Sequence, residues 1–431
     1  MPRALILGAG ISGLAAARRL RWEGFEVALL DTAERPGGML KTVESSGFRA
    51  DLGPTLVSDS EELHELAADA GCEEELISTS RSARRGFLVH GDRLVGLPTH
   101  PKDLVRSRLL SARGKLRLLA EPVQGRGPGP EESVADFFRR RFGSEAAESL
   151  AAALAVGIYG GDYRELAIGW AAPELYEAER EHGSLIQGMR KRPRDRRQGR
   201  PMGFRGGFGA LAEALAEGLE LHLETEVTSI EHGARGFRVS ARQAGAERLF
   251  KADRVVSALP AAVAARLLAP FGDTSPWKAL PHAPVAVLAL AYERVAAAHD
   301  GFGFLVPPKE SCPLLGCFFT STLFPDTAPA GAVLLTASMG GRLRPELVEM
   351  DSDELAETAH RELRRLLGAR GRPEVVALER WRPGIPQPTA TMAGVDRAVA
   401  ALRSSVSGLE IVGNWVGGPS VGDCLRTVWR P

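Results

Sequence analysis

Charge of one sign is missing from this chain. Its 54 Lys and Arg residues are matched by 54 Asp and Glu, so the 431 residues carry no net charge. Such a balance gives no electrostatic argument for nucleic acid or for a strongly acidic partner. Cysteine is scarce. Cys72, Cys312, Cys317 and Cys424 are scattered, which suits a reducing compartment and excludes a disulfide framework. Cys312 and Cys317 have no further Cys or His pair beside them. Two half-buried thiols explain them better than zinc, and no metal is expected. Long hydrophobic runs are absent as well. The longest candidates, residues 150–159 and 284–292, fall short of the about 18–20 residues of a membrane-spanning helix. Length alone leaves peripheral membrane contact open. The first residues already read as a strand, so no secretory signal is expected and the chain is assigned to the cytoplasm. What remains is an ordinary globular composition, long enough for two or three domains with sizeable cores.

The most informative stretch is residues 3–13, Arg-Ala-Leu-Ile-Leu-Gly-Ala-Gly-Ile-Ser-Gly. A short apolar strand runs into Gly8-x-Gly10-x-x-Gly13, and a helix-forming run follows. Gly8 permits a tight turn, Gly10 lets a pyrophosphate approach the backbone, and Gly13 lets helix and strand pack closely. The helix N-terminus offers free N–H groups and a positive dipole end to phosphates, so Ala9, Ile11 and Ser12 join the cradle. Residues 25–30 read as a second strand ending in Asp31, which is placed to bond ribose hydroxyls. Directly afterwards, Glu34-Arg-Pro-Gly-Gly38 adds a second close backbone approach, which NAD enzymes do not need. Flavoproteins with a buried FAD commonly have it, with Arg35 lying along the dinucleotide. Residues 48–54 continue the pattern as the strand that reaches the flavin ring.

Further along, residues 60–70 read as a helix capped by Ser60, and residues 85–98 as a hairpin with a Gly-Asp turn. Residues 99–190 are largely helical, interrupted by a loop at 157–162. Residues 190–201 hold seven basic residues and two prolines, read as a solvated loop. Strands follow around 221–231, 237–242 and 251–257, then at 285–292 and 333–339. A helix spans 351–367. Residues 409–414 form a last strand, and Gly417, Gly418 and Gly422 precede a helix starting at Asp423, whose N-terminus can face an electron-rich group.

Gly157-Ile-Tyr-Gly-Gly-Asp162, Glu177-x-Glu-Arg-Glu-His-Gly-Ser-Leu-Ile186, Gly203-Phe-Arg-Gly-Gly-Phe-Gly209, Gly384-Ile-Pro-Gln387 and Val421-Gly-Asp-Cys-Leu425 occur in this order. Together they resemble the oxygen-dependent protoporphyrinogen/coproporphyrinogen oxidases of the FAD amine oxidase superfamily. The resemblance implies an α/β protein: a discontinuous Rossmann-like FAD-binding domain (1–84, 203–259 and 405–431), a mixed α+β substrate domain (85–98 and 260–404), and an inserted helical domain (99–202). It puts Gly8 to Gly13 on the pyrophosphate and Asp31 and Thr32 on the ribose. Met39, Gly53, Pro54, Thr55, Leu56 and Trp381 are placed toward the flavin, with Gly37 and Gly38 beside the dinucleotide. Val227 offers backbone groups to adenine, and Pro419, Ser420 and Val421 lie near the ring. The FAD is expected to be non-covalent, since Cys424 should point into packing.

The implied substrate is a porphyrinogen. Six electrons leave it in three passes, with three O2 as acceptors. In each pass a hydride leaves a bridging carbon and a pyrrole N–H loses its proton. Aromatisation drives the reaction, so no catalytic side chain is assigned. The Gly157 carbonyl is expected to face the pyrrole nitrogens, with Tyr159 beside it. Arg85, with Arg81, Arg84 and Arg93, is expected to pair with propionates. Handover of product to a ferrochelatase is a further implication. Departures from the family pattern are Thr55, where some members carry Arg, and Asn414-Trp415 after Gly413. The chain also stops seven residues after Cys424. Two other readings use the same residues: an amine oxidase with Trp415 as one wall of an aromatic cage, and a flavin-binding haem-pathway partner without turnover.

Overall fold

Stretches far apart in the chain meet in one parallel sheet. The computed structural model describes residues 1–83, 85–98, 107, 109–191, 200–293 and 300–429. Strands Glu220–His222, Glu26–Leu30, Arg3–Leu7, Arg254–Ser257 and Leu409–Ile411 lie side by side in that order, every pair parallel. Their near-continuous Val, Leu, Ile and Ala content follows from cover on both faces. On one face Ala4 and Ile6 pack under helices Ile11–Trp22, Phe208–Ala216 and Val421–Trp429. On the other, Leu5, Leu7 and Val255 pack under helices Ala261–Leu268 and Met392–Ser405 and under an antiparallel meander, Thr225–Gly233, Gly236–Gln243 and Ala246–Ala252.

Two expectations change here. Residues 261–280 and 392–404, expected in the substrate region, share the core of the parallel sheet, because Ala264, Leu268, Trp277, Val395 and Leu402 turn their apolar faces to it. The expected strand at 221–231 is two strands in two sheets. Glu224, at φ 50°, breaks it, and Thr225 starts the meander.

A second sheet has seven strands in the order Glu374–Pro386, His282–Tyr292, Val333–Gly340, Leu314–Phe318, Gly303–Leu305, Gly86–His90 and Arg93–Gly96. The hairpin at 86–96 turns on Gly91, φ 59°, as its Gly-Asp pair indicated. Alternation separates the faces. Ala286, Leu288 and Leu290 meet Leu355, Ala359, Leu363 and Leu367 of helix Ser352–Leu367, which is capped by Asp351. Val285, Val287 and Ala289 meet Phe48 and Ala50 of the hairpin Thr42–Ser45/Phe48–Asp51 and Leu52 just after it.

Residues 109–191 are helical, around Phe137, Ala151, Tyr159 and Leu166. Arg141 and Glu121 are both fully buried and paired. Glu121 also accepts from Ser184 Oγ at 2.7 Å and from the Leu185 amide at 2.9 Å. Arg140 bridges Glu132 and Glu179 beside them. The expected loop at 157–162 starts later than the sequence suggested: helix Ala152–Tyr159 runs through Gly157 and ends at Gly160, which is left-handed at φ 56°. Most of the basic stretch, residues 192–199, and also Arg84, lie outside the described residues. No helix among the described residues is long and apolar enough to cross a membrane.

Candidate active site

The first turn of the parallel sheet separates the roles of its glycines. A methyl group on Gly13 would overlap the Gly8 carbonyl oxygen, and one on Gly8, φ 101°, would stand 2.7 Å from the Ala258 oxygen. Beside Gly10 there is open space to 4 Å. Gly10 caps helix Ile11–Trp22 with no side-chain bond, and no acid stands in its first turn. The leading amides are therefore free for an anion, with the dipole in its favour. Gly37 and Gly38 close one side: the Gly37 amide donates to the Ala9 carbonyl at 2.8 Å, and a methyl on Gly38 would sit 3.2 Å from the Gly10 Cα. The Arg35 guanidinium donates to the carbonyls of Pro36, Gly38 and Leu40 at 2.8–3.1 Å and so shapes this loop beside the cradle.

Asp31 ends the second strand half-buried. Its carboxylate accepts from the amides of Ala9, at 2.6 Å, and Ala33, at 2.8 Å, which aims the remaining lone pairs outward. Its backbone carbonyl accepts from Thr225. Val227, two residues on, lies on the outer strand of the meander where the register slips. Thr32 is exposed beside Asp31. The glycine cradle, Asp31 and Val227 thus follow one another along the end of the sheet. They fit a dinucleotide in donor chemistry.

A second group continues from the cradle. A methyl on Gly53 would overlap the Met39 carbonyl oxygen, and the Leu52 carbonyl accepts from the Trp381 indole at 2.7 Å. Thr55 is buried, and Leu56 packs near Phe302 and Phe318, an edge-to-face pair. Helix Val421–Trp429 packs on the Gly13 helix, bringing Pro419 and Ser420 to the same side. It starts two residues before Asp423, because Ser420 and Asp423 cap one another: the Asp423 amide donates to Ser420 Oγ at 3.1 Å, and the Ser420 amide to Asp423 at 3.2 Å. Cys424 is buried beneath this turn, and burial pushes its thiol up to about 11. Trp415 cannot wall a cage. It is buried against Trp277, 5.2 Å between ring centroids, and donates to the Leu259 carbonyl.

The helical region reaches the same place. Gly160 touches Val285, the strand partner of Trp381. Gly157 and Ile158 are exposed in the last helical turn, and Leu154 lies one turn back. The amides of Gly160 and Gly161 donate to Val156 and Ala155, so neither closes onto the Gly157 carbonyl. Tyr159 faces the other way. Its hydroxyl donates to the Ala171 carbonyl at 2.8 Å, and burial raises its pKa. The side chain belongs to the helical core. Arg81, Arg85 and Arg93 are exposed. Sequence reasoning passed over Asp51 and Thr42, which meet each other and the turn at 206–209. Only the glycines of that turn hinted at a tight approach.

Comparison with known proteins agrees with this architecture. Residues 11–427 match the flavin containing amine oxidoreductase family. Protoporphyrinogen oxidase 2, chloroplastic/mitochondrial, of Arabidopsis thaliana is 30% identical, over 99% of this chain and 92% of its own length. Coproporphyrinogen III oxidase of Bacillus subtilis is 27% identical, over 98% and 95%. Among solved structures, a protein from Exiguobacterium sp. 255-15, provisionally named a protoporphyrinogen oxidase, superposes with a TM-score of 0.82 at 23% identity, over 99% of this chain and 97% of that one. Cyclohexylamine oxidase from Brevibacterium oxydans IH-35A shares the fold at 0.69 and 18%, over 99% and 97%. With the glycine cradle, the ribose-end acid and both sheets in place, the chain belongs to the flavin-containing amine oxidoreductases and, within them, to the protoporphyrinogen/coproporphyrinogen oxidase family.

Proposed function

We propose that this chain binds FAD without a covalent link and oxidises protoporphyrinogen IX to protoporphyrin IX, with O2 as acceptor and peroxide as product. The observation that carries the reading is the full-length similarity to protoporphyrinogen oxidases combined with an open cradle at Gly10. Gly8 to Gly13, Gly37 and Gly38 would hold the pyrophosphate, Asp31 and Thr32 the ribose, and Val227 the adenine. Met39, Gly53 to Leu56, Trp381 and Pro419 to Val421 would surround the ring. FAD, when bound, supplies a two-electron acceptor, so a six-electron oxidation takes three passes.

The chain's own residues bind, orient and exclude water. An apolar macrocycle suits Leu154, Ile158, Phe302 and Phe318, and the Gly157 carbonyl offers an acceptor to pyrrole N–H groups. Arg85, Arg81 and Arg93 are candidates for propionates. Coproporphyrinogen III, oxidised to coproporphyrin III, is the second reading; it is favoured by the coproporphyrinogen III oxidases of Bacillus subtilis and Staphylococcus aureus among the relatives. The burial of Trp415 counts against the amine oxidase reading. Peripheral membrane contact is supported by the exposed Leu116, Leu119 and Val123 close to Arg113 and Arg126. A cytoplasmic site of action and handover to a ferrochelatase complete the reading.

Two measurements test it. Acid precipitation of purified protein should leave yellow flavin in the supernatant; flavin that stays in the pellet contradicts non-covalent binding. Porphyrin fluorescence with the two porphyrinogens side by side should show faster turnover of protoporphyrinogen. Faster turnover of coproporphyrinogen moves the assignment to the second reading, and no porphyrin from either removes both.

A further inference from the structure

The turn at 206–209 presses on two polar side chains of the Thr42–Ser45/Phe48–Asp51 hairpin. A methyl on Gly207, φ 83°, would stand 2.5 Å from Thr42 Oγ1 and 2.8 Å from Asp51 Oδ1, and one on Gly209 3.0 Å from Thr42 Oγ1. Into this close fit go two amides. The Phe208 amide donates to Asp51 Oδ1 at 2.9 Å, and the Gly209 amide donates to Thr42 Oγ1 at 2.8 Å. The Thr42 hydroxyl in turn donates to Asp51 Oδ1 at 2.6 Å. These bonds clasp the start of helix Phe208–Ala216 to the hairpin that carries Leu52 and Gly53.

The same helix touches the other cofactor segments along its length. Ala212 abuts Gly37, where a methyl would come within 2.6 Å of its Cβ. At its end the carbonyls of Ala214 and Leu215 accept from Arg18 of the Gly13 helix at 2.8 and 2.9 Å. Helix Phe208–Ala216 is therefore a strut. It joins the segment after Asp51, the Gly37 loop and the Gly13 helix, and Thr42 with Asp51 fixes its leading end.

We propose that Asp51, with Thr42, is a positioning residue for the flavin. It holds residues 52–56 in register with the pyrophosphate cradle through helix Phe208–Ala216, without touching the cofactor itself. The inference rests on the FAD reading above. Burial pushes the Asp51 carboxyl up to about 6 against the lowering effect of these bonds, so it can be titrated in a folded protein. The charged group acting on Asp51 is Arg49 of the same strand, and Lys41 and Arg205 flank Thr42 and the 206–209 turn in sequence. Arg49, Lys41 and Arg205 are paired with Asp326, Glu379 and Glu75. A proton on Asp51 weakens charge-assisted bonds, so flavin binding should favour the ionised form.

The test is titration of flavin-free protein with FAD, read by flavin fluorescence, from pH 5 to 8, alongside thermal melts. Wild type should bind FAD and lose several-fold in affinity as pH falls through 6. Asp51→Ala should stay folded yet bind about ten-fold more weakly at pH 7.5. Asp51→Asn keeps an acceptor but not the charge, so at pH 7.5 it should bind several-fold more weakly than wild type, as wild type does below pH 6, with the inflection near pH 6 gone. If Asp51→Ala fails to fold, Thr42→Val, which removes one hydroxyl, should still weaken FAD binding. Wild-type affinity for FAD by Asp51→Ala or, in its place, by Thr42→Val, or a pH inflection that persists in Asp51→Asn, overturns the positioning role alone. Absence of FAD binding by wild type overturns the FAD reading and this inference with it.

Discussion

Gly10 and Gly13 stand three residues apart in one turn and answer to different constraints. Gly13 is held against backbone, so Gly13→Ala should destabilise the apoprotein by about 1–3 kcal/mol or more. Gly10 has open space beside it and φ −71°, which alanine adopts freely. Gly10→Ala should leave the apoprotein melting temperature unchanged and still weaken FAD binding. A variant that binds FAD as wild type does would show that no pyrophosphate approaches there. Asp31→Ala should cost a ten- to hundred-fold loss of FAD affinity, about 1.5–3 kcal/mol, without unfolding, checked by equilibrium dialysis. Gly8, Gly10, Gly13 and Asp31 were legible because their spacing is local and each conformational demand falls on one residue type. The bonds of Arg35 to the Pro36, Gly38 and Leu40 carbonyls were not, because they depend on how the Gly37 loop folds back on itself. Asp51 and Thr42 were invisible for another reason: their partners, Phe208 and Gly209, lie more than 150 positions away.

At the scale of elements, the buried pair of Arg141 and Glu121 fixes the helical region. Arg141→Ala leaves Glu121 charged and without its cation, and should destabilise by about 3–5 kcal/mol. Arg365→Ala, which removes a partly exposed partner of Asp92 and Glu362, should cost under about 1 kcal/mol by chemical denaturation. Equal losses in the two variants would contradict this view of the network. Element boundaries show where local reading stops. Gly157, Gly160 and Gly161 together look like a loop, yet only Gly160 takes the left-handed conformation, and it ends the helix. Ser420 starts a helix that seemed to begin at Asp423, since a mutual cap needs both residues. Nearly continuous apolar strands, such as residues 285–292 and 333–339, were readable within a few residues.

Across the whole molecule, assignment of helices to layers was the hardest inference. The faces of residues 261–268 and 392–405 are apolar, but nothing local says which sheet they cover. Stability should carry one pH signature of the assembled fold. Asp51 titrates near 3.8 when unfolded and about 6 when folded, so between these values the native state holds a proton that the unfolded state has lost. Its contribution is fully present below about pH 4 and disappears as pH rises through 6. Asp51→Asn should therefore melt higher than wild type at pH 7.5 and close to it at pH 4; the opposite order would contradict the burial argument. The central claim is that one dinucleotide site serves an oxygen-dependent porphyrinogen oxidation. The most direct test follows porphyrin fluorescence and peroxide together, under air without NAD and under argon with NAD added. The proposed function predicts porphyrin and peroxide under air, in a ratio near one porphyrin to three peroxides, and neither under argon. Porphyrin that forms only with NAD, or anaerobically without another acceptor, would contradict it.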